Sequence, residues 1–480
     1  MDEDPDRGDQ PGDGPRAGPR RLTEGPSTSD EVAAAGSPAS VVLIAVSVGL
    51  AFADASVVVL ALPALYGTFG VSLVEVSWII TSYNVAVVVA AVALLAAPVR
   101  PRWLTAFGSA VFALSSVACG VAPTFAVLVA ARSAQGLGAA CLLIGSLPFL
   151  VGVTGSGGRA RAVWGYAGAA GVVVGPALGG VLTQVLGWRS IFWVQAPVAA
   201  LALAAALRHR TPGEDEDPGR VALRAGMAGV GFVLLFASLV GALFLSVLLF
   251  IVVWGYSPLE SALVVSMLAV GTVAMGPLER ALPPWMAALA GGWTLSGGLL
   301  GLAWLPATNA GYAAVALGLC GCGFGLLNAV LERRSLPAGN GLRRPGNLVI
   351  GAKHVGFVLG LLVVSPALAG DLVTATRAAT TSAGAVILDA PLDLTVKVPL
   401  ALDMKDLVGG APRGEIPDLR GPFDRRAGSG QAVTETRDAV TGVVEATITR
   451  GFRPSFTAAA LFAGIATIVA LGLVVVREPT

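Results

Sequence analysis

Polar residues are scarce over most of the chain and gather into a few stretches, leaving apolar runs of about 20 residues from residue 41 to residue 476. Twelve such runs can be drawn: 41–66, 76–97, 104–121, 124–151, 162–186, 191–207, 226–253, 261–278, 284–305, 310–331, 348–369 and 456–476. At about 1.5 Å per residue, a helix of this length crosses a hydrocarbon core of about 30 Å. A closed barrel is excluded, because its strands would alternate polar and apolar residues over about ten positions. The pattern therefore predicts an all-α membrane protein with twelve transmembrane helices.

The polar stretches divide these spans. Residues 1–38 are rich in Pro, Gly and charge, lack apolar periodicity and are expected to be disordered. The first span contains Asp54 and is too long for the core of a cleaved signal peptide. A linker over 208–225 separates a first six-helix half, 39–207, from a second half that begins at 226 and runs through its fifth span to 370. Two six-helix halves joined by a polar linker are a transporter layout. A long connection, 371–454, precedes the last span and its short tail, 455–480. Within it, Leu392, Leu394, Val396 and Val398 alternate with polar residues, a period of two that predicts a half-buried strand. Val433, Val440, Val443, Val444, Ile448 and Phe452 instead follow helical spacing. The connection reads either as a small cap, or as a partly ordered insertion.

Composition agrees with a membrane chain: 55% hydrophobic and 13% charged, with mean hydropathy +0.77. Arginines sort by loop. Arg100, Arg102, Arg159, Arg161, Arg208, Arg210, Arg280, Arg333, Arg334 and Arg477 fall on one side, whereas the short loops of the other side carry only Arg189. The positive-inside rule makes the arginine-rich side cytoplasmic, with both termini inside and the 371–454 loop outside. A net charge of +1 suggests no nucleic-acid partner. No Walker loop and no cluster of His, Cys and carboxylates is present, so neither an ATP-driven pump, a metal site, a cofactor nor an enzyme is expected. Cys119, Cys141, Cys320 and Cys322 all fall in spans and read as small packing residues.

Few charges enter the spans: Asp54, Arg132 and Lys353, with His354 beside the last. Such groups are costly in hydrocarbon and face a cavity or a partner. Lys353 lies about 9 Å past the cytoplasmic start of its span, so its stem can reach the membrane surface. His354 reads as a helix-packing residue or as a proton carrier. Trp78 suits an interface, while Tyr83 and Asn84 offer candidate substrate-lining surface. Gly171, Gly175 and Gly179 recur every four residues and share a helix face that admits a close neighbour, and Pro176 permits a bend.

Several stretches together resemble one family. LVAARSAQGLGAA, with Arg132 and Gln135, is similar to the helix-4 signature of the major facilitator superfamily. GVVVGPALGGVL, which contains Gly171, Gly175, Pro176, Gly179 and Gly180, resembles its helix-5 antiporter motif. FADASVVVLALP, WRSIFWVQAP and GYSPLESAL resemble segments of the fourteen-helix drug/proton antiporter group, here shortened to twelve helices. The chain departs from the family at the helix 2–3 loop, where AAPVRPRWL lacks the family's aspartate and glycines, and at Val59, where the family has asparagine.

The resemblance implies a secondary active transporter of the cell membrane that exports a small amphipathic or drug-like compound in exchange for protons, without cofactor and as a monomer in the bilayer. It also sets helices 1 and 4 face to face. Asp54 lies about 18 Å and Arg132 about 12 Å from the outer ends of their spans, so the two could pair and serve proton coupling. Arginine keeps its proton, which leaves Asp54 as the carrier. The competing readings are an Arg132 that braces helix 1 carbonyls, a transporter-like scaffold or sensor that no longer cycles, and a proton-independent facilitator.

Overall fold

The computed structural model describes residues 38–97, 99–209, 223–306, 308–335, 343–410, 421–424 and 431–475. The expected tail, apart from its last residue, and most of the 208–225 linker lie outside the described residues. The first half comprises α1 (Pro38–Phe69), α2 (Leu73–Ala96), α3 (Pro101–Gly120), α4 (Phe125–Thr154), α5 (Gly157–Leu186) and α6 (Arg189–Arg208). The second begins with α7 (Leu223–Leu248), α8 (Pro258–Ala274), the short α9 (Gly276–Ala281), α10 (Pro284–Ala303) and α11 (Ala310–Ser335). It continues with α12 (Arg343–Asp389), α13 (Leu394–Gly410), α14 (Gly421–Asp424), α15 (Gln431–Gly451) and α16 (Arg453–Val475). Among the described residues there is no strand.

Ten of these helices are long and apolar enough to cross a membrane, and α1 makes an eleventh if its two arms, Pro38–Asp54 and Val57–Phe69, count as one span bent by 47°. In α5 the apolar helix Val174–Leu186 is shorter than a full crossing. The α2 and α8 starts share a device: Ser72 with Glu75, and Ser257 with Glu260, each form a reciprocal capping box. Each box satisfies backbone donors that the first helical turn leaves orphaned. The second helix of each half thus begins in the same way.

Within the first half α1 packs on α5, and α3 on both α4 and α6; within the second α7 packs on α12, and α10 on α11. Contact between the halves runs mainly through α2 with α12 and α5 with α8. Cys119, Cys141 and Cys320 are buried as free thiols.

The described parts of the connection after the eleventh expected span are mostly helical. Instead of ending near residue 369, α12 runs on to Asp389. Its continuation places Leu372, Ala375, Ala379, Ala383 and Ile387 at helical spacing, all buried. Val433, Val440, Val444 and Ile448 of α15 are buried too, and the two helices pack together. The strand expected over 392–398 is instead the start of α13. The physical reason is visible in burial. Leu394, Val398 and Leu402 are exposed, whereas Leu400 is buried and Val396 partly so. A strand would put Leu394, Val396 and Val398 on one face; here they split between two helix faces, four residues apart on each.

Candidate functional site

A polar core lies inside the first half. Arg132, eight residues into α4 from its Thr124 cap, donates from Nη1 to Asp54 Oδ1 at 3.0 Å and from Nη2 to Asp54 Oδ2 at 2.7 Å. Both side chains are fully buried. The fork geometry of a guanidinium matches a carboxylate in this two-bond arrangement. Arg132 also donates from Nε to the Ile79 carbonyl on α2 at 3.0 Å and from Nη1 to Gln135 Oε1 at 2.6 Å. The backbone it braces therefore belongs to α2, not to the first helix. Gln195 of α6 closes the network, donating to Asp54 Oδ1 at 2.9 Å and accepting from Gln135 at 2.6 Å, while Gln135 also donates to Ser116 at 2.8 Å. The guanidinium carbon sits 4.5 Å from the Tyr83 ring centroid. The structure thus brings together Asp54, Arg132, Gln135 and Tyr83.

Gln195 and Ser116 join the network without a distinctive signal in the sequence. Gln195 stands in WRSIFWVQAP, and a neutral amide in an apolar span gives little signal by itself.

Asn84 faces the other half. Its Oδ1 lies 2.6 Å from His354 Nδ1 on α12, while its own amide donates to Ile80 O at 2.8 Å. His354 therefore joins the two halves. Tyr83, Asn84 and Gln135 are fully buried, and none borders the cavity described next, so they do not line it in this conformation.

Lys353 does not extend to the membrane surface. It is buried and bonds Glu332 Oε1 of α11 at 2.6 Å, because α11 continues past residue 331 and carries Glu332 to within reach. Its ammonium lies 5.6, 5.2 and 5.3 Å from the ring centroids of Phe52, Phe232 and Phe236. Lys353, Glu332, Phe52 and Phe236 line a cavity of about 460 Å³ between the halves, at the arginine-rich end of the bundle. Its wall is mostly aromatic and apolar, with Trp164 of α5 and Phe324 of α11 among its members, and its rim carries Arg161, Glu279, Arg280 and Arg333. Glu279 pairs with Arg333, and Arg280 of α9 donates to the Tyr166 hydroxyl of α5 across the halves.

The α5 glycines allow close helix approach. A Cβ on Gly171 would lie 2.0 Å from Gly49 O, and one on Gly179 would lie 2.6 Å from Val57 O, so both positions let α5 lie against α1. Gly180 points differently. A Cβ there would lie 2.3 Å from the Ala262 Cβ and 2.8 Å from Pro258 O, both on α8 of the other half. Gly175 and Pro176 are buried on the same helix.

The described residues thus form a multi-helix apolar bundle in two halves, with a cavity between them and a buried charge pair in one. The model of the Major Facilitator Superfamily matches residues 44–332, and the chain belongs to that superfamily. It is similar to the Multidrug resistance protein Stp of Mycobacterium tuberculosis, 37% identical over 214 residues, 43% of this chain and 38% of that protein. It is also similar to the Methylenomycin A resistance protein of Bacillus subtilis, 33% identical over 201 residues, 40% of this chain and 43% of that protein. The matched regions thus span about two fifths of the length of these curated relatives. In fold it resembles a bacterial homologue of the human lysosomal transporter Spinster in an inward-facing, unoccupied conformation. That likeness has a TM-score of 0.60 at 14% identity and covers 93% of this chain and all of the other.

Proposed function

We propose that the chain is a secondary active transporter that exports a small amphipathic or drug-like compound in exchange for protons. The observation that carries this reading is the sealed Asp54–Arg132 pair, bonded through both carboxylate oxygens. A proton and the guanidinium compete for those oxygens. Arg132 keeps its charge throughout, so Asp54 is the member able to take up and release the proton. Because both groups are fully buried, that exchange requires the bundle to open. Opening one side then admits protons from that side, which is the coupling an antiporter needs. Gln135 and Gln195 supply alternative partners when the pair separates. The relatives named for multidrug and methylenomycin A resistance, and one named for lincomycin resistance, support export of drug-like compounds.

The test uses purified protein in liposomes containing a pH-sensitive dye, with methylenomycin A and lincomycin as trial compounds. Asp54→Asn is expected to lose uptake driven by a pH gradient while keeping downhill exchange. Full gradient-driven transport by that variant would sink the coupling role and leave Arg132 as a brace. In this reading the protein is a monomer of the cell membrane with both termini in the cytoplasm. Cysteines introduced at Thr381 and at Gly158, in a background without the four native ones, test the orientation. An impermeant maleimide applied to intact cells should label the first and spare the second; the reverse would invert the topology.

A further inference from the structure

The charges around the cavity point to the kind of compound it holds. Among the described lining residues three cations, Arg280, Arg333 and Lys353, stand against two carboxylates, Glu279 and Glu332, and a fourth, Arg161, has contacts of its own. Both carboxylates are already engaged, Glu279 by Arg333 and Glu332 by Lys353. A cationic guest would have to displace one of these internal cations. The aromatic site that would suit an ammonium, ringed by Phe52, Phe232 and Phe236, is filled by the ammonium of Lys353 itself. An anion meets no such obstacle. One carboxylate oxygen bonds the Lys353 ammonium, which has three donors, and the Arg280 fork bonds a neutral phenol. Excess positive charge in an apolar-walled recess concentrates the potential there and raises the local concentration of anions. A cavity of about 460 Å³ holds a drug-sized molecule.

We infer that the cavity takes amphipathic organic anions, with Lys353 and Arg280 meeting the anionic group and the aromatic wall of Phe52, Trp164, Phe236 and Phe324 enclosing the apolar body. This rests on the transporter reading above and narrows its substrate class. A proton carried inward for each monoanion carried outward would make the exchange move two charges, so export would respond to membrane potential as well as to the pH gradient.

Binding is measured without turnover. The full chain in phosphatidylcholine nanodiscs is titrated calorimetrically with 2-naphthoate and with 2-naphthylmethylammonium, which share one aromatic body and differ in charge, with empty nanodiscs subtracted. The anion is expected to bind at least tenfold tighter. The paired change Lys353→Met with Glu332→Gln leaves no charge buried alone and should cut the preference below about threefold; Lys353→Arg should retain it. Equal or tighter binding of the cation, binding of neither probe, or a preference unchanged in the double variant would overturn the assignment. The comparison on the unaltered chain is decisive even if a variant folds poorly. A chain that prefers the anion yet moves nothing under a pH gradient would sink the transport reading and leave the charge preference standing.

Discussion

Two ion pairs occupy the two halves, and they are built differently. Asp54–Arg132 joins α1 to α4 by two bonds, adds a backbone carbonyl and two glutamines, and has no exposed surface. Lys353–Glu332 joins α12 to α11 by one bond, and Glu332 keeps 28% of its side-chain surface exposed. The same chemistry therefore sits sealed in one half and beside a cavity in the other. A sealed pair can exchange a proton only when helices part, whereas a pair in a cavity wall can meet a guest directly. Both pairs stay within a half. What crosses between the halves is weaker: the His354–Asn84 bond, Asn347 to the Ala91 carbonyl, Arg280 to Tyr166, and the Gly180 approach to α8. Ion pairs weld each half, while hydrogen bonds, the Gly180 approach and the Lys353 ammonium near the Phe52 ring join them, contacts that a rocking motion of one half on the other can exchange.

The largest test of this contrast is to break each pair. Arg132→Met leaves a fully buried carboxylate alone and is expected to cost about 3–5 kcal/mol. Lys353→Met leaves a carboxylate that solvent can reach, and about 1 kcal/mol is expected. Thermal unfolding of the purified proteins in one detergent measures both. Equal losses would mean that the two sites are equally enclosed, and the contrast would fail.

The α5 glycines divide the same way, and their effects should separate fold from movement. Gly171→Leu drives side-chain bulk into the α1 backbone inside one half, so low yield and early unfolding are expected. Gly180→Leu strikes α8 in the other half, so the protein should fold while transport in liposomes falls more than tenfold. Normal transport by a folded Gly180→Leu protein would show that this approach is not part of the cycle.

Much of this layout is legible in the sequence because charge is so rare in the spans. Asp54 and Arg132 stand out against apolar neighbours, and residue counting sets them at similar depth. Gln195 and Ser116 do not stand out: neutral polar residues are tolerated in spans, and only tertiary packing brings them to Asp54 and Gln135. Glu332 is hidden for another reason. It follows the last apolar residue of its run and precedes Arg333 and Arg334, so it reads as loop charge until α11 extends to Ser335. In the 371–454 connection the period of two over Leu392 to Val398 is too short to separate strand from helix, since Leu394, Val398 and Leu402 fit helical spacing equally well. The α15 pattern is longer, and its buried valines lie where their spacing puts them.

The smallest expected effect concerns the contact between the halves. His354 and Asn84 bond across α12 and α2, so their bond stabilises only conformations in which these helices keep this register. Asn84→Ala should therefore leave folding nearly unchanged while weakening the present arrangement by about 1 kcal/mol, the net worth of a typical hydrogen bond. A shift of that size changes a two-state population about fivefold. Ala262, buried where α8 meets Gly180, reports the change if it is replaced by cysteine in a background without the native four. Its labelling by an impermeant maleimide should rise about fivefold in Asn84→Ala and by a similar factor in His354→Ala. The double variant should rise no further, because the second substitution removes a bond already lost. Additive increases would mean that each residue acts through separate contacts, and that the bond between them does not hold the halves together.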